Sequence, residues 1–220
     1  MSNIVNLQQL LGNNPFNAER QLKWKIASSF AADANDFLWR VGLLNQNRPH
    51  DTTAYFAKMY VDLLMSAECA LKSLIISLSL KGETPEDAYK VARRTGHDLE
   101  KLYLKVEGRA KRRIKLLTPK QRALLMKANT IGVGYRYDIS TFFFLSRESR
   151  IDRAFQRGPV SGILNYSFIM EFYTMLHDLR DLANASLKKY YGRDNSLAGV
   201  NLQKLADRQD AFYTAVGRLL

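Results

Sequence analysis

From Thr53 to Leu80 the apolar side chains recur at intervals of three and four, at Phe56, Met59, Tyr60, Leu63, Leu64, Ala67, Ala70, Leu71, Leu74, Ile75 and Leu78. That rhythm follows the 3.6-residue helical period and predicts a long helix with a wide buried stripe. The same periodicity predicts helices over 18–44, 85–93, 97–116, 119–131, 147–157, 161–191 and 200–218, with a shorter piece over 139–145. Starts are signposted by "TPED" at Thr84 and "TPKQ" at Thr118. Each sets a threonine N-cap before a proline at the first helical position, with an acid or an amide at the third. Stops fall at "KGETP", "RRTG", "RGPVSG" and "YGRDNS", where glycine, proline and small polar residues interrupt the pattern. No segment alternates with the two-residue period of a half-buried strand. The chain therefore reads as all-α, an up-and-down helical bundle in a single domain over 1–220.

The segment from Ser161 is apolar nearly all round at first, through Ile163, Leu164, Phe168, Ile169, Phe172, Tyr173 and Leu176. A helix of that kind needs cover on more than one side. It is either the central helix of the bundle or a subunit interface, and a homodimer is the expectation.

Charge changes the picture most. Lysine and arginine number 33 against 21 acidic residues, a net charge of +12. The 90–157 segment alone holds 18 basic and 6 acidic residues, so it carries the whole excess and the remainder is neutral. Such asymmetry points to RNA or another polyanion, or to an acidic partner surface. The cation positions sharpen this. On a helix from 97 to 116, Leu99, Leu102, Tyr103, Val106 and Ala110 share one face. Lys101, Lys105, Arg109 and Arg112 fall together on the other, and Lys111, Arg113 and Lys115 crowd the same end. The expectation is a solvent-facing basic ridge suited to phosphates. Gly96 and His97 stand at the start of this helix, with Thr95 as its cap and Asp98 and Glu100 at the positive end of its dipole.

Other chemistry is sparse. A single cysteine, Cys69, excludes an intramolecular disulfide framework and fits a reducing, cytoplasmic setting. The opening "MSNIVNLQQLLGNNPFN" lacks the pattern of a secretory signal, and the apolar runs are too short to span a bilayer, so no membrane association is expected. His50, His97 and His177 offer no metal-ligand spacing, and "GVG" at Gly132 is too short for a phosphate loop. Neither a metal nor a cofactor is expected.

Three ordered motifs remain. "VDLLMSAECALKSLIISL" (Val61 to Leu78) contains a small-x-Glu-x-x-Leu-Lys pattern at Ala67, Glu68, Leu71 and Lys72. "GHDLEKLYLKV" places a histidine and an aspartate together at a helix start, and "YRYDIS" (Tyr135 to Ser140) is an Arg-Tyr element. Together they resemble the HEPN (higher eukaryotes and prokaryotes nucleotide-binding) domain family, over a core of about 50–145. Helical extensions then occupy 1–49 and 146–220. The resemblance implies a short up-and-down bundle, frequent homodimerisation and association with nucleic acids or nucleotides. It also implies a place in a prokaryotic toxin–antitoxin or defence system, with a cognate protein partner. Its catalytic branch cuts RNA without metal, using an arginine and a histidine with four to six residues between them, so that the histidine stands five to seven positions after the arginine. Here no histidine has an arginine at that distance, and Asp138 stands where a proline is common. The resemblance thus implies a non-catalytic RNA- or nucleotide-binding member. One alternative is a metal-independent endoribonuclease with altered spacing, its candidate catalytic residues His97, Arg94 (or Arg93) and Arg136. Another is a protein-interaction module with a basic face.

Glu68 and Lys72 lie four apart and can pair across a helical turn. With His97, Asp98 and Arg136 they form a predicted polar cluster between the core helices, either mutually satisfied and structural or a pocket for proton transfer, to which histidine is suited. His177, Asp178 and Arg180 form a second constellation without a nucleophile. Tyr135, Tyr137 and Phe142 to Phe144 serve either to stack bases or to fill a core.

Overall fold

The computed structural model describes residues 15–46, 53–111, 114–129 and 165–191. Among them are six helices: α1 (Pro15–Gln46), α2 (Thr53–Ser77), α3 (Pro85–Arg94), α4 (Leu99–Ala110), α5 (Pro119–Asn129) and α6 (Tyr166–Tyr191). No strand occurs among the described residues, and the all-α bundle expected from the periodicity is the architecture found.

α1 and α2 form an antiparallel pair, and serines set its register. Ser66 Oγ donates to Ala34 O (2.9 Å) and Ser73 Oγ donates to Ala27 O (2.8 Å). Seven residues forward on one helix thus answer seven residues back on the other. Ala27, Ala31 and Ala34 are buried on the facing side of α1, and their small side chains let the two backbones approach. α6 packs along both helices. It runs parallel to α2, with Tyr166 near Phe56 at one end and Tyr191 near Ile76 at the other. α3 and α4 cover α2 from another side, and α5 bridges α4 and α6.

The central element is therefore α2. Every residue from Ser66 to Leu78 is buried, so the helix is surrounded and not merely striped. The sequence reading makes the helix from Ser161 either the central helix or a subunit interface; among the described residues the all-round buried helix is α2. Within α6, Phe168, Ile169, Phe172, Met175, Leu176 and Leu179 face the core, while Tyr166 is exposed.

Several boundaries depart from the sequence expectation. Thr84 caps α3, its side chain accepting from Asp87 N–H at 3.1 Å, as the "TPED" motif predicts. Thr118 and Gln121 form the reciprocal pair of the second motif. The helix expected over 97–116 begins only at Leu99 and ends at Ala110. Its N-cap is Asp98, whereas Thr95 closes α3 through a bond from Oγ1 to Val91 O. At the far end Lys111 takes a left-handed conformation (φ 36°), which breaks the helical run. The apolar residues beyond it, Ile114, Leu116 and Leu117, pack on the core from outside any helix.

The predicted helices over 139–145, 147–157 and 200–218, and the residues Arg112, Arg113, Tyr135, Arg136, Tyr137 and Phe142 to Phe144, lie outside the described residues. No described helix is long and apolar enough to cross a membrane.

Candidate functional site at the α3–α4 turn

A tight turn, Thr95 to Asp98, joins α3 to α4, and Gly96 supplies the positive φ (66°) it requires. Asp98 fixes the start of α4. Its Oδ1 accepts from Lys101 N–H (3.1 Å) and from Asn129 Nδ2 (3.1 Å), while Asn129 Oδ1 accepts from Leu99 N–H (3.0 Å). Lys101 Nζ also lies 3.2 Å from Asp98 Oδ2. Burial would raise the Asp98 pKa. The bonds from Lys101 and Asn129 and the Lys101 charge overcome that and hold the carboxyl below the usual aspartate value.

On one side of the turn, His97 reaches down to α2. Its Nδ1 lies 2.8 Å from Glu68 Oε2, and Lys72 Nζ donates to Glu68 Oε1 at 2.7 Å. The Glu68 side chain is 3% exposed and His97 37%. Burial pushes the Glu68 pKa up, but the hydrogen bonds and charges of Lys72 and His97 bring it below the ordinary glutamate value. An ionised Glu68 can only accept, so Nδ1 carries the proton, and in the neutral ring Nε2 is the basic nitrogen. Lys72 Nζ sits 5.9 Å from the centroid of Phe30, which stacks with Tyr89. Of the predicted cluster, Glu68, Lys72 and His97 are brought together. Asp98 instead serves the α4 cap.

The arrangement can orient an imidazole for proton transfer, but a nucleophile beside it is another matter. Cys69 follows Glu68 in sequence and is buried; burial, with the charges of Asp33 and Glu68, pushes its thiol up to about 12. It is inert at neutral pH. Among the described residues no group of three or more His, Cys, Asp or Glu side chains is placed to hold a metal ion. In the second constellation, His177 packs edge-on against Tyr173, and Asp178 accepts from Gln121 Nε2 at 2.7 Å. Burial and the Arg180 charge lower the His177 pKa. The Gln121–Asp178 bond ties α5 to α6.

On the other side of the turn, α3 and α4 enclose an open cleft of about 550 Å³. Arg94, Lys101 and Lys105 line it together with Val91, Thr95 and Leu104. The three cations are exposed, and so is Leu104, at 46%. Sequence reasoning placed Lys101 and Lys105 on the ridge. It missed that Arg94, from the preceding helix, joins them and that Val91 and Leu104 give the cleft an apolar floor. Apolar residues at solvent-facing helical positions were the available signal. Lys111 and Lys115 are exposed beyond the end of α4.

Arg109 corrects the ridge. It is 7% exposed and turned into the protein. Its NH1 donates to Glu83 (2.7 Å) and to Ile75 O (3.1 Å), and its NH2 donates to the other Glu83 oxygen (2.6 Å). A guanidinium forked onto a carboxylate in this way is a structural clamp and has no share in the solvent-facing surface.

Comparison of the chain with protein-family models, with curated proteins and with solved structures finds no match.

Proposed function

We propose that this chain is an RNA- or nucleotide-binding protein of HEPN-like type that holds its ligand in the α3–α4 cleft without cutting it. The observation that carries the reading is the convergence of Arg94, Lys101 and Lys105 around the apolar floor of Val91 and Leu104. Cations on long side chains match phosphate oxygens, and an apolar floor gives a base or sugar a surface to cover. The basic excess of the 90–157 segment supports the same reading by raising the local concentration of any polyanion. A homodimer, a cytoplasmic location and a cognate partner in a toxin–antitoxin or defence pair accompany the resemblance and belong to this proposal.

The test is RNA binding measured against salt. Log affinity for a single strand falls by ~0.7 per phosphate contact as log salt rises. Arg94→Gln with Lys105→Gln flattens that slope by ~1–1.5 and weakens unrelated RNAs alike, with little change in melting temperature. A slope indifferent to both substitutions refutes the cleft.

One observation favours a second reading, a metal-independent ribonuclease. Glu68 holds His97 as a carboxylate holds a general base. RNA cleavage in chelator that disappears in His97→Ala would establish it; intact RNA leaves binding alone.

A further inference from the structure

α1 buries one side and leaves the opposite side bare. Ala27, Ala31, Ala34, Leu38 and Val41 turn into the bundle. Half a turn around the helix, Lys25, Ser29, Ala32, Asp36, Trp39 and Leu43 form an exposed stripe. We propose that this stripe is the contact between two copies of the chain, with α1 of one protomer lying antiparallel across α1 of the other.

The stripe carries an apolar anchor. Trp39 is 67% exposed, and Leu43, one turn further on, is 37% exposed. Tryptophan has the largest apolar surface of any side chain, and it is the residue type that most often dominates protein contacts. Arg40, at the edge of the stripe, is already engaged with Asp62 at 2.6 Å and with the Phe37 ring. α1 lies outside the 50–145 core over which the family resemblance runs. The α3–α4 cleft is lined from other helices, so the contact stands whether or not that cleft holds RNA.

Charge identifies the occupant. Lys25, Asp33 and Asp36 have no oppositely charged partner among the described residues. Burial and the Asp36 charge raise the pKa of Asp33, so the two acids stand together with no cation to relieve them. Lys25 shares their stripe but lies ~16 Å from Asp36 along the helix, too far to pair with it. A second α1, antiparallel and centred between Phe30 and Ala31, removes that distance. Lys25 of each protomer then meets Asp36 of the other, and one two-fold axis makes both pairs at once, as an isologous contact requires. Between the pairs the exposed residues are Ser29 and Ala32, small enough for the helices to approach. Trp39 lies just beyond each pair and covers the facing helix toward its start. A purely acidic or purely basic partner would answer half of this pattern. A face with both charges at the same spacing in reverse order answers all of it, and the stripe is itself such a face.

Sedimentation equilibrium of the full chain tests the contact, with a dimer expected at micromolar concentration. Lys25→Glu sets acid against acid at both ends of the symmetric contact, and Asp36→Lys sets cation against cation. Each weakens dimerisation by about tenfold or more. Mixing the two variants restores both pairs, so the mixture forms a dimer at a concentration where neither variant does alone. That rescue is also the folding control, because an unfolded variant has no face to offer. Trp39→Ala weakens the dimer by about tenfold through loss of the anchor. Lys105→Gln, in the α3–α4 cleft, leaves the dimer intact. The proposal is overturned if the unaltered chain stays monomeric across the micromolar range. It is equally overturned if Lys25→Glu and Asp36→Lys each remain fully dimeric, which would place the contact on another face, or if the two variants fail to associate when mixed.

Discussion

Arg109 and Glu83 are joined by a two-pronged ion pair, 2.6 and 2.7 Å, that ties the last turn of α4 to the loop between α2 and α3. The Glu83 carboxylate also accepts from Leu80 N–H at 2.9 Å, so one acidic side chain holds both the loop and the helix. Arg109→Ala leaves that carboxylate without its main partner and is expected to destabilise the protein by ~2–4 kcal/mol. Because Glu83→Gln with Arg109→Met removes both charges together, it should cost less than the sum of the singles. Urea denaturation of the four proteins checks this, and additive losses would mean the pair is not coupled.

Arg109 and Lys105 lie one turn apart and should fail in opposite ways. Arg109→Gln lowers the melting temperature and leaves the salt slope of RNA binding in place. Lys105→Gln flattens the slope by ~0.7 and leaves the melting temperature in place. Paired thermal melts and binding titrations separate the two, and identical behaviour would contradict the burial of one and the exposure of the other.

Acid should unfold the protein through two glutamates. Burial raises the pKa of Glu83, but bonds from Arg109 and Leu80 N–H and nearby positive charge bring it below the ordinary value, as Lys72 and His97 do for Glu68. Both pKa values are lower in the folded state than in the unfolded chain. The stability they contribute is therefore complete above the ordinary glutamate value of ~4.3 and is lost as pH falls through the folded values. Denaturation midpoints should drop steadily on acidification below about pH 5. In Glu68→Gln with Glu83→Gln that acid dependence should shrink, and an unchanged profile would assign it to other groups.

The start of α4 offers a local test. Asp98→Ala removes the N-cap and is expected to cost ~1 kcal/mol. Gly96→Ala forces a Cβ into a left-handed conformation, for another ~1–2 kcal/mol. Asp98→Ala also frees the cleft cation Lys101 from its pairing at 3.2 Å, whereas Gly96→Ala changes none of the cleft's cations. In Gly96→Ala, RNA affinity should therefore fall only if the angle between α3 and α4 matters to binding, which the same titration reads directly.

The central helix was legible because its apolar residues recur at three and four, and nearly all of those named are buried in α2. The caps at Thr84 and Thr118 were legible for a local reason, since the atoms that bond lie within three residues of one another. Arg109 was misplaced although a clue was present. At ~100° per residue it lies only ~20° around the helix from Leu102, at the margin of the buried face. What settles its burial is Glu83, 26 residues earlier, and no periodicity reports a partner at that distance. The Glu68–Lys72 pair follows from i, i+4 spacing, whereas the cleft needs two helices to meet across Gly96. That the Ser77 hydroxyl finds no partner among the described residues was invisible for the same reason. Serines 66, 73 and 77 look alike until the opposing carbonyls are in place.

The all-round burial of α2 also bears on how the chain is made. Ribosomes release the apolar run from Leu63 to Leu78 well before α6, which covers part of it and ends only at Tyr191. At ~5–20 residues per second that delay is roughly 6–20 s. During it α1 can cover one side of α2 and α3 and α4 another, but the side meant for α6 stays open to water and to other nascent chains. The last described helix is thus the closing piece of the bundle, and an arrest of synthesis before it would leave a sticky intermediate rather than a smaller folded protein.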